Sequence, residues 1–154
     1  MTLLVEKMPQ TVQFHRVFRA PVERVFRAFV DPDAMCKWLP PHGFSGRMHE
    51  MDARVGGRYR MSFTHLGNGQ SHSFGGTFLE LQPNERISHN DRFDDPQLPG
   101  EMVTQITFKT VLVGTEVHIE QTGIPDAIPA EACCLGWQES LQLLALLVEA
   151  EIPT

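Results

Sequence analysis

The sequence predicts an α+β fold: an antiparallel sheet set against a long C-terminal helix, with two short helices after the first strand. Three observations predict it. The element order is one strand, two helices, about six strands and one helix, and a run of strands bracketed by helices favours an antiparallel sheet. Turn-forming clusters such as LGNGQ and QPNE separate the strands at short range. The last segment carries an apolar stripe at helical spacing, which needs a sheet face to cover it.

Each element has its own justification. VQFHRVF (12–18) alternates as a strand. In APVERVFRAFVDPD, Pro21 suits a first helical turn, and Val22, Val25, Phe26 and Phe29 follow helical spacing. Asp31-Pro32 should stop that helix. DAMCKWLPP is a second short helix, ended by Pro40 and Pro41. A meander follows. FSGRMHEMD (44–52) and GRYRMSFTH (57–65) come first, with LGNGQ as the next hairpin and its glycines free to take positive φ. SFGGTFLEL (73–81), RISHNDRF (86–93), MVTQITFKT (102–110) and TEVHIEQT (115–122) complete it, the last two joined at Val113-Gly114. A helix is expected from Pro129 to about Glu151. Trp137, Leu141, Leu144 and Val148 form its stripe, widened by Leu143, Leu146 and Leu147.

With 154 residues, a single domain spanning 1–154, with a core of about 11–149, is expected. That length buries about 70% of the unfolded chain's surface, so no staple is required. Net charge is −6, from 19 acidic and 13 basic residues, with no basic stripe. Phosphate backbones would be repelled, which argues against nucleic-acid binding. Cys36, Cys133 and Cys134 make no CxxC, so they read as reduced thiols. Cys133 and Cys134, without a basic partner nearby, read as buried and inert. No His-x-His or His-Glu-x-x-His spacing occurs among the seven histidines, so no metal site and no cofactor is expected. MTLLVEKMPQ lacks a basic start and a long apolar core, and Leu143 to Val148 is far too short to span a bilayer. The expectation is a cytoplasmic protein without membrane insertion.

Several segments resemble the START-like helix-grip superfamily (SRPBCC, polyketide cyclase/dehydratase-like), most closely the branch of heat-shock protein 90 ATPase activator homologues. The carriers are RVFRAPVERVFRAFVDPDAMCKWLPP, MDARVGGRYRMSF, GGTFLELQPNERI, GTEVHIEQTGIP and GWQESLQLLALLV. MDARVGGRYRMSF is the most specific, with an acidic residue, an Arg and a Gly-Gly before an aromatic strand. There Gly56 and Gly57 let the chain bend sharply into the strand, and Arg54 is placed to pair with a nearby carboxylate. The resemblance implies a curved sheet wrapped around the last helix, with a cavity between them. It does not imply one activity, because the superfamily includes carriers, cyclases, dehydratases and cochaperones.

The inward pattern of the superfamily implies a lining of Trp38, Tyr59, Met61, Phe63, Phe78, His89, Asp91, Thr104, Ile106, Gln121, Trp137 and Leu141. Met35 closes one end beside Trp38. His65 continues the Tyr59 face, and Glu80 shares the side of Phe78 unless a bulge intervenes at Gly75-Gly76. Most of these residues are apolar, as pocket linings usually are. His89 and Asp91 are the candidate catalytic or ligand-orienting pair, since inward residues two apart on a strand lie side by side. Two readings of Asp91 stand: a buried partner of His89, or a solvated carboxylate at the exposed end of its strand. The expected function is binding of a hydrophobic or amphipathic small molecule, lipid-like or aromatic and polyketide-like. The alternatives are a cyclase, dehydratase or hydrolase using the same cavity, and a cochaperone-like interaction module. The leucine-rich flank of the last helix is a candidate homodimer interface.

Overall fold

The computed structural model describes residues 10–150. Residues 1–9 of the opening segment and the expected helix end at Glu151 lie outside the described residues. The elements run β1 (Gln10–Phe18), α1 (Val22–Ala28), α2 (Pro32–Trp38), β2 (Phe44–Met51), β3 (Arg58–His65), β4 (Ser71–Gln82), β5 (Arg86–Phe93), β6 (Met102–Val111), β7 (Gly114–Ile124) and α3 (Ala130–Val148). The α+β helix-grip arrangement expected from the sequence is the one found. The seven strands form one curved antiparallel sheet in the order β1-β7-β6-β5-β4-β3-β2.

Short connections force each strand of the β2–β7 meander beside its predecessor. The exception is β1, which pairs with β7 from Gln10 opposite Ile124 to Phe18 opposite Thr115. The first and last strands are therefore neighbours, and α1 and α2 carry the chain from one edge of the sheet to the other. The β6–β7 turn is Leu112-Val113, with Val111 opposite Gly114. Among the described residues no helix is long and apolar enough to cross a membrane.

Asp31-Pro32 ends one helix and starts the next. The Asp31 side chain caps α2 by accepting from the backbone N–H groups of Asp33 (2.9 Å) and Ala34 (3.2 Å), and Pro32 fills the first helical position. Pro21 sits one residue earlier than expected, at the N-cap of α1. The two short helices are locked by Trp38, whose indole N–H donates to the Ala28 carbonyl at 2.8 Å. Its ring packs edge-on against Phe29, with centroids 4.8 Å apart. The end of α2 is tied to α3 by the Ser140 hydroxyl, which donates to the Leu39 carbonyl at 2.6 Å.

The core joins Leu141, Leu144, Ala145 and Val148 of α3 to Phe18, Phe108, Val117 and Ile119 of the sheet. Leu146 and Leu147 do not widen the stripe. They are 69% and 37% exposed, because the sheet and the short helices cover only one side of α3. Gly56 has φ +82°, and a Cβ on Gly57 would lie 2.0 Å from the Asp52 carbonyl oxygen, so the Gly-Gly bend has a steric cause. Arg54 pairs with Asp52 at 2.7 Å.

The β4–β5 register shifts between Phe78 and Glu80, which puts the extra residue at Leu79 and not at Gly75-Gly76. The shift turns Leu81 onto the core and Glu80 outward, toward Arg86 at 3.7 Å. His65 does not continue an inner face. Its Nδ1 accepts from the N–H groups of Gly67 (3.0 Å) and Asn68 (3.1 Å), capping the hairpin.

Replacing Trp38 with Phe leaves the Ala28 carbonyl without its donor inside the helix pair. The expected loss is about 1–3 kcal/mol, read from urea unfolding at an unchanged m-value. An unmoved midpoint would show that the indole bond does not hold α1 to α2.

Candidate functional site

Two lateral rows of the sheet meet beneath α3. One runs across four strands, with Phe78 opposite His89, His89 opposite Thr104, and Thr104 opposite Gln121. In the adjacent row Tyr59 is opposite Gly76, and Asp91 is opposite Met102. The β4–β5 register brings Gly76 alongside Asp91, so Tyr59, Gly76 and Asp91 lie in line on three neighbouring strands. A Cβ on Gly76 would fall 1.7 Å from the Asn90 carbonyl oxygen. Glycine thus lets β4 lie close against the Asn90 main chain of β5, and from β3 the Tyr59 hydroxyl donates to Asp91 Oδ1.

Asp91 is buried, its side chain 5% exposed, which decides between the two sequence readings in favour of the inner face. Its carboxylate gathers three donors. Besides the Tyr59 hydroxyl, His89 Nδ1 lies 2.8 Å from Oδ1, and the Thr104 hydroxyl donates to Oδ2 at 2.6 Å. Thr104 accepts from Gln121 Nε2 at 3.1 Å. The Gln121 carbonyl in turn accepts from the Trp137 indole N–H at 3.0 Å and faces Cys133 Sγ at 3.6 Å. Since an indole N–H can only donate, the amide orientation is determined. Every bond in this chain points toward Asp91. Among the described residues, no occluded side-chain nitrogen or oxygen lacks a partner.

His89 is 16% exposed along its side chain. Burial pulls its pKa down, but the Asp91 charge and the bond to Asp91, helped by the Asn90 backbone, outweigh burial and hold it above the ordinary imidazole value. With Nδ1–H donated to Asp91, the second ring nitrogen, Nε2, has no hydrogen-bond partner among the described residues and is not occluded. Burial, reinforced by Asp91, pushes the Tyr59 hydroxyl well above the usual phenol range, so it stays a donor. Burial, with Cys134 adding to it, pushes the Cys133 thiol up to about 11. It remains protonated at neutral pH and is not an activated nucleophile.

A cavity of about 110 Å³ opens beside these groups. Of the residues expected to line it, Trp38, Tyr59, Phe63, Phe78, His89, Asp91, Thr104, Ile106, Gln121 and Trp137 do, and so does Met35. Met61 and Leu141 do not. Met61 is fully buried but turns toward β2 and Pro40, where it fills the space that a Gly46 side chain would need. Leu141, one turn beyond Trp137, is drawn toward Phe14 and Arg16 of β1. Phe29, Leu39, Phe74 and Met102 complete the wall. Phe74 was findable from its two-residue alternation with Phe78. Phe29 and Leu39 come from the ends of the short helices, where periodicity carries no signal about the sheet. The other histidines lie apart. His15 faces Glu116 at 3.1 Å, His42 faces Glu139 at 3.5 Å, and His49 Nε2 lies 2.8 Å from the Ser62 hydroxyl. Among the described residues no group of three or more His, Cys, Asp or Glu is placed to hold a metal ion.

Two predictions follow from the network. A folded-state pKa of His89 above its unfolded value, about 6.5, means that its stabilising contribution is full below about pH 6.5 and fades as pH rises through the folded pKa. In Asp91→Asn the raising charge is gone and burial dominates, so NMR titration should put the His89 pKa below about 6.5. A value still above it would remove Asp91 as the cause. For Gly76→Ala, the new methyl meets main chain and not a flexible side-chain tip. A loss of at least about 3 kcal/mol is expected in urea unfolding, at the top of the range for overpacking.

Residues 19–149 match the family described as activator of Hsp90 ATPase homolog 1-like protein. A crystal structure of a protein from Chromobacterium violaceum is 57% identical, covering 92% of this chain and 98% of that one, with a TM-score of 0.90. A protein from Rhodobacter sphaeroides (23% identity, 90% and 91% coverage, TM-score 0.79) shares the fold. So does one from Nitrosomonas europaea (20% identity, 96% and 98% coverage, TM-score 0.76). No curated protein matches the chain. The family match over most of the sequence and the resemblance to the Chromobacterium structure over nearly its whole length agree with the sheet and helix order: the chain belongs to the activator of Hsp90 ATPase homolog 1-like family, of the START-like (SRPBCC) superfamily.

Proposed function

We propose that this chain, working as one domain over residues 1–154, binds a small and mostly apolar molecule in the cavity between the sheet, α2 and α3. The observation that carries the reading is a void in an otherwise packed core, walled largely by aromatic rings, with its polar groups gathered at one side. Protein interiors are close-packed, and voids larger than a water molecule are few. An apolar cavity of about 150 Å³ stays dry and takes benzene. The present cavity, at about 110 Å³, is of that order. It suits a single ring or a short chain better than a long acyl chain or a fused polyketide, which narrows the ligand range expected from the sequence.

A second reading has one feature in its favour. His89, with Asp91 behind it and Nε2 unpaired, is arranged as a general base or acid is, so the same cavity would serve acid–base chemistry on its guest. Under that reading, His89→Gln abolishes turnover while the guest still binds. A cochaperone role gains no support from a particular feature of the site.

The binding reading is tested by thermal unfolding with toluene as the probe. At about ten times its Kd, a ligand specific for the folded state adds about 1.4 kcal/mol, or about 3–5 °C for a domain of this size. The rise should vanish in Ile106→Trp, which places an indole in the void. The reading fails if toluene leaves the wild type unmoved, or if it raises both proteins equally.

A further inference from the structure

Resting on that reading, we propose that the guest is a single-ring compound carrying one hydroxyl of the phenol type, its oxygen bonded to His89 Nε2. The void sets the size. Phe29, Phe63, Phe74, Phe78, Trp38 and Trp137 set the character of the walls, which offer ring edges and faces to a flat guest.

The polar contact follows by elimination among the lining groups. The Tyr59 hydroxyl is spent on Asp91 Oδ1 and the Thr104 hydroxyl on Oδ2. Asp91 already takes three donors on its roughly four lone-pair sites. Gln121 is engaged at both ends, by Thr104 at its nitrogen, which keeps one N–H, and by Trp137 and Cys133 at its oxygen. His89 Nε2 is the one polar side-chain atom of the lining without any partner among the described residues, and it is the contact assigned to the guest.

The chemistry of an imidazole nitrogen selects the partner. In the neutral ring, Nε2 accepts, because Nδ1 holds the proton against Asp91; in the charged ring, Nε2–H donates. A hydroxyl can donate to the first and accept from the second, so it is matched in both states. A carboxylate is matched only by the charged ring and would bring a second anion close to Asp91. An ammonium is matched only by the neutral ring. One polar corner in an apolar wall also means one polar group, since a second would be buried without a partner.

Phenol and toluene, nearly equal in size, form the test. Affinities of both are measured by titration calorimetry at pH 8 for the wild type and for His89→Leu. A single net hydrogen bond predicts that the phenol-to-toluene affinity ratio falls roughly three- to tenfold in the variant, with toluene affinity held or improved. The ¹⁵N resonance of His89 Nε2 in the wild type gives a second readout that does not depend on the variant folding. It should move on saturation with phenol and stay in place with toluene. An unchanged ratio, an unmoved Nε2 resonance at phenol saturation, or benzoate binding more tightly than phenol overturns the assignment. Toluene binding without phenol binding overturns it too, while leaving the binding reading intact. Failure of every ring to bind removes both.

Discussion

A carboxylate held on the inner face of a sheet is the constraint on which this structure turns. An ion of that kind costs several kcal/mol to bury unless its lone pairs are met by donors. Asp91 is met by Tyr59 from β3, His89 from β5 and Thr104 from β6. Those donors belong to three strands, so the arrangement exists only in one register of β3 through β6, and only with glycine at position 76. Slipping any of these strands by one residue would turn its contributor to the outer face and strand the charge. The carboxylate therefore does more for specificity of pairing than for net stability. The lock extends from the sheet into α3, since Thr104 holds Gln121 and Gln121 holds Trp137.

That extension accounts for the void. A helix lying on a curved sheet would ordinarily settle until side chains interdigitate. Here α3 is held by the Trp137–Gln121 bond over the middle of the sheet and by the Ser140–Leu39 bond to the end of α2. The opposite wall is equally fixed, with Trp38 bonded to Ala28 and wedged on Phe29. Large rings on rigid elements cannot collapse into a gap between them. Phe63 packs edge-on against Phe74, and Tyr59 against His89, each pair with centroids about 5 Å apart (4.9 and 5.3 Å). The cavity is thus a consequence of polar bonds that set distances and aromatic rings that keep them.

What the sequence disclosed divides along the same line. Element order and most strand bounds were legible, because two-residue alternation and turn clusters are local signals. The β1–β7 pairing is not local, so neither alternation nor a turn signal gives it. The bulge at Leu79 was invisible, since no glycine or proline marks it, and the conspicuous glycines at 75 and 76 suggested the wrong place. Gly76 serves a different end, the close approach of β4 to the Asn90 main chain beside Asp91. Burial of Asp91 could not be read from ISHNDRF alone, because the donors that permit it stand at positions 59 and 104. Met61 shares its strand face with Tyr59 and Phe63 yet leaves the cavity for the gap at Gly46. Alternation gives the side of a sheet and not the direction in which a flexible side chain leans.

The direction of the hydrogen bonds carries the argument one step further. Trp137 can only donate, so Gln121 must present its carbonyl to the helix and its amide to Thr104. Thr104, accepting from that amide, turns its own proton to Asp91. Tyr59, with its proton held firmly by burial, donates as well. Asp91 is surrounded by hydrogens, and His89 meets it with Nδ1–H. The free nitrogen of that ring is consequently Nε2, and His89 lines the cavity. Which imidazole nitrogen holds the proton is decided by Asp91, which as a carboxylate can only accept and so takes Nδ1–H. The carboxylate that these donors permit inside the sheet also sets the tautomer of the group beside the cavity.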